Sequence, residues 1–168
     1  MRIESFLKQS PVFQISLTAR RLDALLTRIL RQEQVTFSEA LVLAAIFFEK
    51  KRGVKPSELA ATFHTTRGNM SQCISSLEAK GLVRRRIDPD DARAFQLTLL
   101  PAGKKRATRV VGILHLMQGQ FEQMMRTAGV EEMLRHLFVV ESLCSGLARD
   151  ADQRSESNLD EEPETIPE

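Results

Sequence analysis

The chain has no tryptophan and no tyrosine, and all nine of its aromatic residues are phenylalanine. With no indole or phenol to offer a polar handle, the rings are expected to fill core space, not to stack on exposed bases. Only two cysteines occur, Cys73 and Cys144, far apart and without CxxC spacing. That excludes a disulfide framework or a zinc-finger pattern, and both are read as small core hydrophobes. His64, His115 and His136 share no ligand spacing, so neither a metal nor a cofactor is expected. No run of about 18 apolar residues exists, and the opening MRIESFLKQSPVF lacks an apolar leader core. The expectation is a cytoplasmic, reduced protein with no membrane partner. Ser/His/Asp, paired-carboxylate and phosphate-loop signatures are missing as well, which argues against an enzyme.

What is present is ordinary for a globular chain: 42% hydrophobic and 27% charged residues over 168 positions. That length suits one domain, or one domain with an extended dimerisation element. The net charge of +2 hides an asymmetry. Eight acids against Arg154 alone give residues 150–168 a charge of −7, so residues 1–149 carry +9. A basic body calls for an anionic partner, nucleic acid or a membrane surface. The acidic tail has almost no large apolar side chains to offset its ordering entropy and is expected to be unstructured.

Periodicity supplies the elements. From Ser10 to about Gln34, Ile15, Leu22, Leu25, Leu26, Ile29 and Leu30 recur at three- and four-residue steps, giving a long amphipathic helix. TFSEALVLAAIFFEKK follows, with Thr36 or Ser38 as cap and Gly53 as its close; apolar nearly all round, it belongs at the centre. Pro56 and Ser57 open a short helix, Phe63 to Thr65 form a turn, and a second helix runs to Gly81. Two short helices joined this way make a helix-turn-helix. LVRRRI and AFQLTL, joined by DPDDAR, read as an antiparallel hairpin. Pro101 opens a helix to about Gln123. A break at Thr127 to Gly129 precedes a last helix, Val130 to Arg149, whose stripe includes Leu134, Leu137, Phe138, Leu143, Cys144 and Leu147.

On these motifs the run from Phe37 to Ala107 resembles the MarR family of winged helix-turn-helix regulators. SSLEAKGLVRRRIDPDDARAFQLTLLPAG is similar to that family's LExKGLVxRxxxxxDxRxxxLxLTxxG wing pattern. Asp91 and Arg93 fall on its Asp-x-Arg, Leu97 to Leu100 on its LxLT, and Gly103 on its closing glycine. Leu100 stands where many members have threonine, with Thr98 falling short of that position.

The resemblance implies a mainly α fold with a small antiparallel β-hairpin wing, a winged helix-turn-helix plus a helical dimerisation region. Its divisions would be an N-terminal dimerisation helix in 1–35, the DNA-binding domain in 36–100, C-terminal dimerisation helices in 101–149 and the acidic tail in 150–168. The function it implies is a homodimeric, ligand-responsive repressor on a pseudo-palindromic operator. The small-molecule effector would occupy a cleft lined from the first, second and fifth helices.

The residues give each part a role of their own. A recognition helix enters the major groove of double-stranded DNA, about 12 Å wide, and small polar side chains permit close approach. Gly68, Asn69, Ser71, Gln72 and Ser75 suit that face, with Thr65, Thr66 and Arg67 at its start. Asn69 and Gln72 can each bond adenine bidentately. In the wing, Arg93 can enter the minor groove while Asp91 holds the tip's shape, and Arg84 and Arg86 alternate with Arg85 along the strand. One of these arginines should face phosphate and another bind Asp88 or Asp90. The rival reading is a winged protein-interaction module, or an anti-repressor, that does not read DNA sequence.

Overall fold

The computed structural model describes residues 2–49, 53–88 and 94–157, with residues 152–157 described by backbone only. Two compact units divide the chain, 1–115 and 116–168. The first opens with a helix that the periodicity did not reveal, α1 (Arg2–Gln9). Its Ile3, Phe6 and Leu7 share the i, i+3, i+4 spacing of one face. Ser10, extended at φ −83° and ψ 112°, ends it as pre-proline residues tend to. The same Ser10 then caps α2 (Pro11–Leu30), its hydroxyl accepting from the Phe13 N–H at 3.3 Å.

The expected run to Gln34 instead tightens into a 3₁₀ turn, Arg31–Glu33, closed by Gln34 in the left-handed region at φ 55°. A side chain there costs roughly 1–2 kcal/mol that glycine avoids. Gln34→Gly is therefore expected to stabilise the fold by about 0.5–1 kcal/mol, net of glycine's greater unfolded-state entropy. A higher urea midpoint at unchanged m-value would register it; a lower one would mean the Gln34 side chain contributes more than its strain costs.

Of the two candidate caps for α3 (Phe37–Phe48), Thr36 is used. Its hydroxyl accepts from Glu39 N–H at 3.2 Å while Glu39 Oε2 accepts from Thr36 N–H at 2.7 Å, a reciprocal capping box. As its composition requires, α3 is central, with Ala40, Val42 and Leu43 wholly buried.

α4 (Pro56–Thr62) and α5 (Arg67–Ala79) form the helix-turn-helix. Thr65 N–H bonds Ala60 O at 3.0 Å and His64 N–H bonds Ala61 O at 3.2 Å, with His64 left-handed at φ 47°. This is the Schellman closure, and it turns the chain sharply enough for α5 to cross α4. At the end of α5 the pattern recurs with glycine. Leu82 N–H bonds Leu77 O, Gly81 N–H bonds Glu78 O, and Gly81 holds φ 66°.

β1 (Val83–Ile87) and β2 (Phe95–Leu99) pair antiparallel with Val83 opposite Leu99 and Ile87 opposite Phe95. Val54 adds a third-strand stub, its carbonyl accepting Leu97 N–H at 2.8 Å. The core of this unit joins Leu30, Leu43, Ile74, Leu77, Leu97 and Val110, all fully buried. Each contributes on the order of 1.5–3 kcal/mol by leaving water.

α6 (Pro101–Ser157) departs from the sequence reading. The expected break at Thr127 to Gly129 shrinks to one non-helical residue, Arg126, at φ 58° and ψ 163°. A single residue resets the chain, and Gly129 stays helical. The helix also passes Asp150, where an unstructured tail was expected, and reaches Ser157. Extension needs no new nucleation, and Ala151, Gln153 and Arg154 are good helix formers. The remaining tail residues, 158–168, lie outside the described residues. The stripe on the second half of α6 is not a core: Leu134, Leu137, Phe138, Leu143 and Leu147 are exposed, and so is Cys144. The expectation that Cys144 is buried therefore fails, because among the described residues nothing covers that face. Among the described residues, no helix is long and apolar enough to cross a membrane.

Candidate nucleic-acid interface

α5 separates its two faces cleanly. Met70, Ile74 and Leu77, at i, i+4 and i+7, are at most 3% exposed. Arg67, Gly68, Asn69, Ser71, Gln72 and Ser75 are all exposed. Thr66 is the N-cap, its hydroxyl accepting from Asn69 N–H at 3.1 Å, so its oxygen serves the helix. Thr65 lies before the helix, half-buried in the turn. Of the eight residues assigned to the recognition helix, six thus share its exposed surface and two build its start.

The hairpin is fastened to this helix by Arg85. Its backbone N–H donates to Glu78 Oε1 at 3.1 Å, its Nε lies 3.4 Å from Glu78 Oε2, and its Nη2 donates to Ser75 Oγ at 3.2 Å. The carboxylate gripping this arginine comes from α5, 7 residues upstream, not from the hairpin turn. Ser75 accepts in this bond and keeps its own O–H free to donate outward. Asp88, only 2% exposed, pairs with Lys55 at 2.8 Å and ties the foot of the hairpin to the start of α4. Asp88 N–H bonds Ala94 O at 2.9 Å, closing the strands at the base of the tip. Asp91 and Arg93, the tip residues, lie outside the described residues, as does Asp90.

Arg84 and Arg86 point to the other strand face. With Gln96, Thr98, Phe47 and Lys104 they line a cavity of about 600 Å³ behind the hairpin. On the front, a groove of about 440 Å³ is lined by Lys55, Ser57, Arg67, Ser71, Arg85 and Phe95. Sequence reasoning missed Lys55, Ser57 and Phe95 here. The Pro56–Ser57 helix start was legible, but its proximity to α5 is a tertiary fact. Thr98 Oγ1 is buried and without a hydrogen bond among the described residues, so it does not cap α6, which begins at Pro101 without it.

Cys73, half-buried on the inner flank of α5, has its thiol pushed up to about 11, chiefly by burial, with the Glu39 carboxylate adding and Lys80 opposing. A thiol so disfavoured as thiolate is a poor redox sensor.

A helix-turn-helix whose second helix exposes a small polar face beside an antiparallel hairpin defines the winged helix-turn-helix class. Within that class, the MarR family model matches residues 33–94. The transcriptional regulator SarZ of Staphylococcus haemolyticus is 27% identical over 100 residues, 60% of this chain and 67% of that protein. Among solved structures, Staphylococcus aureus MepR in complex with DNA aligns with a TM-score of 0.74 at 18% identity, covering 82% of this chain and 98% of MepR. The repressor CouR bound to a 23-mer duplex aligns at 0.69 and 19% identity, covering 80% and 94%.

Proposed function

We propose that the chain is a sequence-specific DNA-binding transcriptional regulator, a ligand-responsive dimeric repressor of a pseudo-palindromic operator. The observation that carries this reading is the exposed face of α5: six small, polar or basic residues held over a fully buried opposite face and braced by Arg85 of the wing. Support comes from MepR and CouR, solved with DNA on the same fold.

In this reading Asn69 and Gln72 read base edges, Arg67 takes a phosphate or a guanine, and Arg93 enters the minor groove with Asp91 shaping the tip. Arg84 and Arg86 supply backbone charge. The dimer is supported by apolar side chains left uncovered in the single chain, among them Ile3, Phe6, Val12, Leu22 and Leu25 in the first unit and Leu134, Phe138 and Leu147 in the second. Apolar surface on this scale marks an association face. Two recognition helices would then meet half-sites roughly 34 Å apart.

The test is selection of bound duplexes from a random pool at about 50 and 200 mM salt, since several phosphate contacts make affinity fall by orders of magnitude across that range. Enrichment of one inverted repeat that survives the higher salt supports the reading; binding without preference overturns it. On the selected site, Gln72→Ala is expected to lose about 1–3 kcal/mol of discrimination at one base pair, with weaker sites hardly affected. Equal loss on every sequence would mean that Gln72 does not read bases.

A further inference from the structure

Seven residues, 33 to 39, carry two carboxylates that grip two different helices. At one end Glu33, on the turn after α2, holds α6: Arg109 Nε stands 2.9 Å from both carboxylate oxygens and Arg106 Nε 3.3 Å from Oε2. Arg106 Nη1 also donates to the Glu33 backbone carbonyl. At the other end Glu39, 3% exposed, holds α5: Lys80 Nζ, at the C-cap of that helix, is 2.7 Å from both oxygens. Between the two ends little is free to move. Gln34 is fixed left-handed, Val35 is buried, and Thr36 is locked in its capping box with Glu39. Charge-assisted bonds of this geometry are the strong ones, and two such grips joined by a short, fixed segment of backbone make a physical connection between elements.

We infer that residues 33–39 form a strut that sets the angle of the recognition helix α5 against α2 and α6, with Glu33, Glu39, Lys80 and Arg109 as positioning residues for the choice of half-site spacing. This rests on the proposed dimeric DNA-binding function, in which α2 and α6 carry the partner. In a dimer the position of each α5 is fixed only as well as its connection to those helices. Moving one half-site by a base pair displaces it by about 3.4 Å along the duplex. A rigid strut rejects that displacement, and a severed one tolerates it.

The test uses the full chain with the near-isosteric changes Glu33→Gln and Glu39→Gln. On the selected operator and on duplexes with the half-sites moved by one base pair, wild type is expected to lose on the order of 30-fold in affinity, and either variant only about threefold, within the usual range of coupling between sites. Base preference within each half-site should be unchanged. A variant that keeps the wild-type spacing penalty overturns the strut.

The second readout needs no DNA. Glu33→Gln should accelerate amide exchange at residues 77–82, the end of α5, on the order of tenfold by loosening a helix that Glu33 does not touch. Unchanged exchange there overturns the strut whatever the DNA results. If wild type enriches no sequence but the exchange effect is present, the DNA-binding reading fails and the mechanical connection stands.

Discussion

Replacing Gly103 by alanine is expected to cost about 3 kcal/mol or more of folding free energy, the upper range for forcing atoms into a packed site. The added Cβ would stand 1.9 Å from the carbonyl oxygen of Leu82, 2.8 Å from its carbon and 3.2 Å from its Cα. Backbone has no rotamer to escape into. The same Leu82 oxygen accepts the Leu100 N–H at 2.9 Å, so moving it breaks the bond that joins the start of β1 to the start of α6. On the proposed function, DNA affinity should fall with stability, because the hairpin and α6 cannot both keep their places. The control is Gly112→Ala, where a Cβ meets nothing within 4 Å. There the helix interior should gain about 1 kcal/mol. Urea denaturation of both variants decides the matter; a Gly103→Ala loss below about 1 kcal/mol would mean that β1 and α6 separate cheaply at their starts.

The helix-turn-helix was legible because its signals are local. Met70, Ile74 and Leu77 repeat at helical spacing, Pro56 marks a start, and Gly81 stops α5 where a left-handed residue is needed. The hairpin was legible for the same reason, with Val83 and Leu97 as its inward positions. Gly103 could be placed on a family pattern, but its physical cause, the Leu82 carbonyl, is a contact across 21 positions of sequence. Ion pairing was least legible. Arg85 had acids close by at Asp88 and Asp90, yet its carboxylate is Glu78 on the preceding helix. Strand direction decides that, and composition does not. Lys80 and Glu39 are 41 residues apart, and nothing in either neighbourhood announces the other. The stripe on the second half of α6 shows the converse limit. Its period identified a helix face that must be covered, but period says nothing of whether the cover comes from the same chain.

Lys80→Met is expected to lose about 2 kcal/mol at neutral pH. Removing one partner of a fully buried pair costs about 3–5 kcal/mol, but the Lys80 side chain is 36% exposed and partly hydrated, which discounts the figure. The loss comes from the partner left behind: the Glu39 side chain is 4% exposed and keeps only its Thr36 N–H and Ser76 bonds. The double change Glu39→Gln with Lys80→Met should therefore cost less than Lys80→Met alone, since no uncompensated charge remains. The pH dependence follows from the carboxyl. Burial, the largest influence on Glu39, raises its pKa, but hydrogen bonds from Lys80, Ser76 and Thr36, with the Lys80 charge, outweigh it and hold the group below the ordinary carboxylate value. A folded-state pKa below the unfolded one gives stability that is complete above the unfolded value, about 4.3, and is lost as pH falls through the folded value. Without Lys80 the carboxyl loses two of the influences that lower its pKa, so it titrates higher and acid costs the folded variant less. The stability gap between wild type and Lys80→Met should thus narrow from neutral pH toward about pH 3.5, as wild type loses the contribution of its Lys80-paired carboxylate. Denaturation curves of the two proteins at the two pH values measure it. A gap that stays constant would assign the loss to the packing of the lysine stem and not to the charge it brings to Glu39.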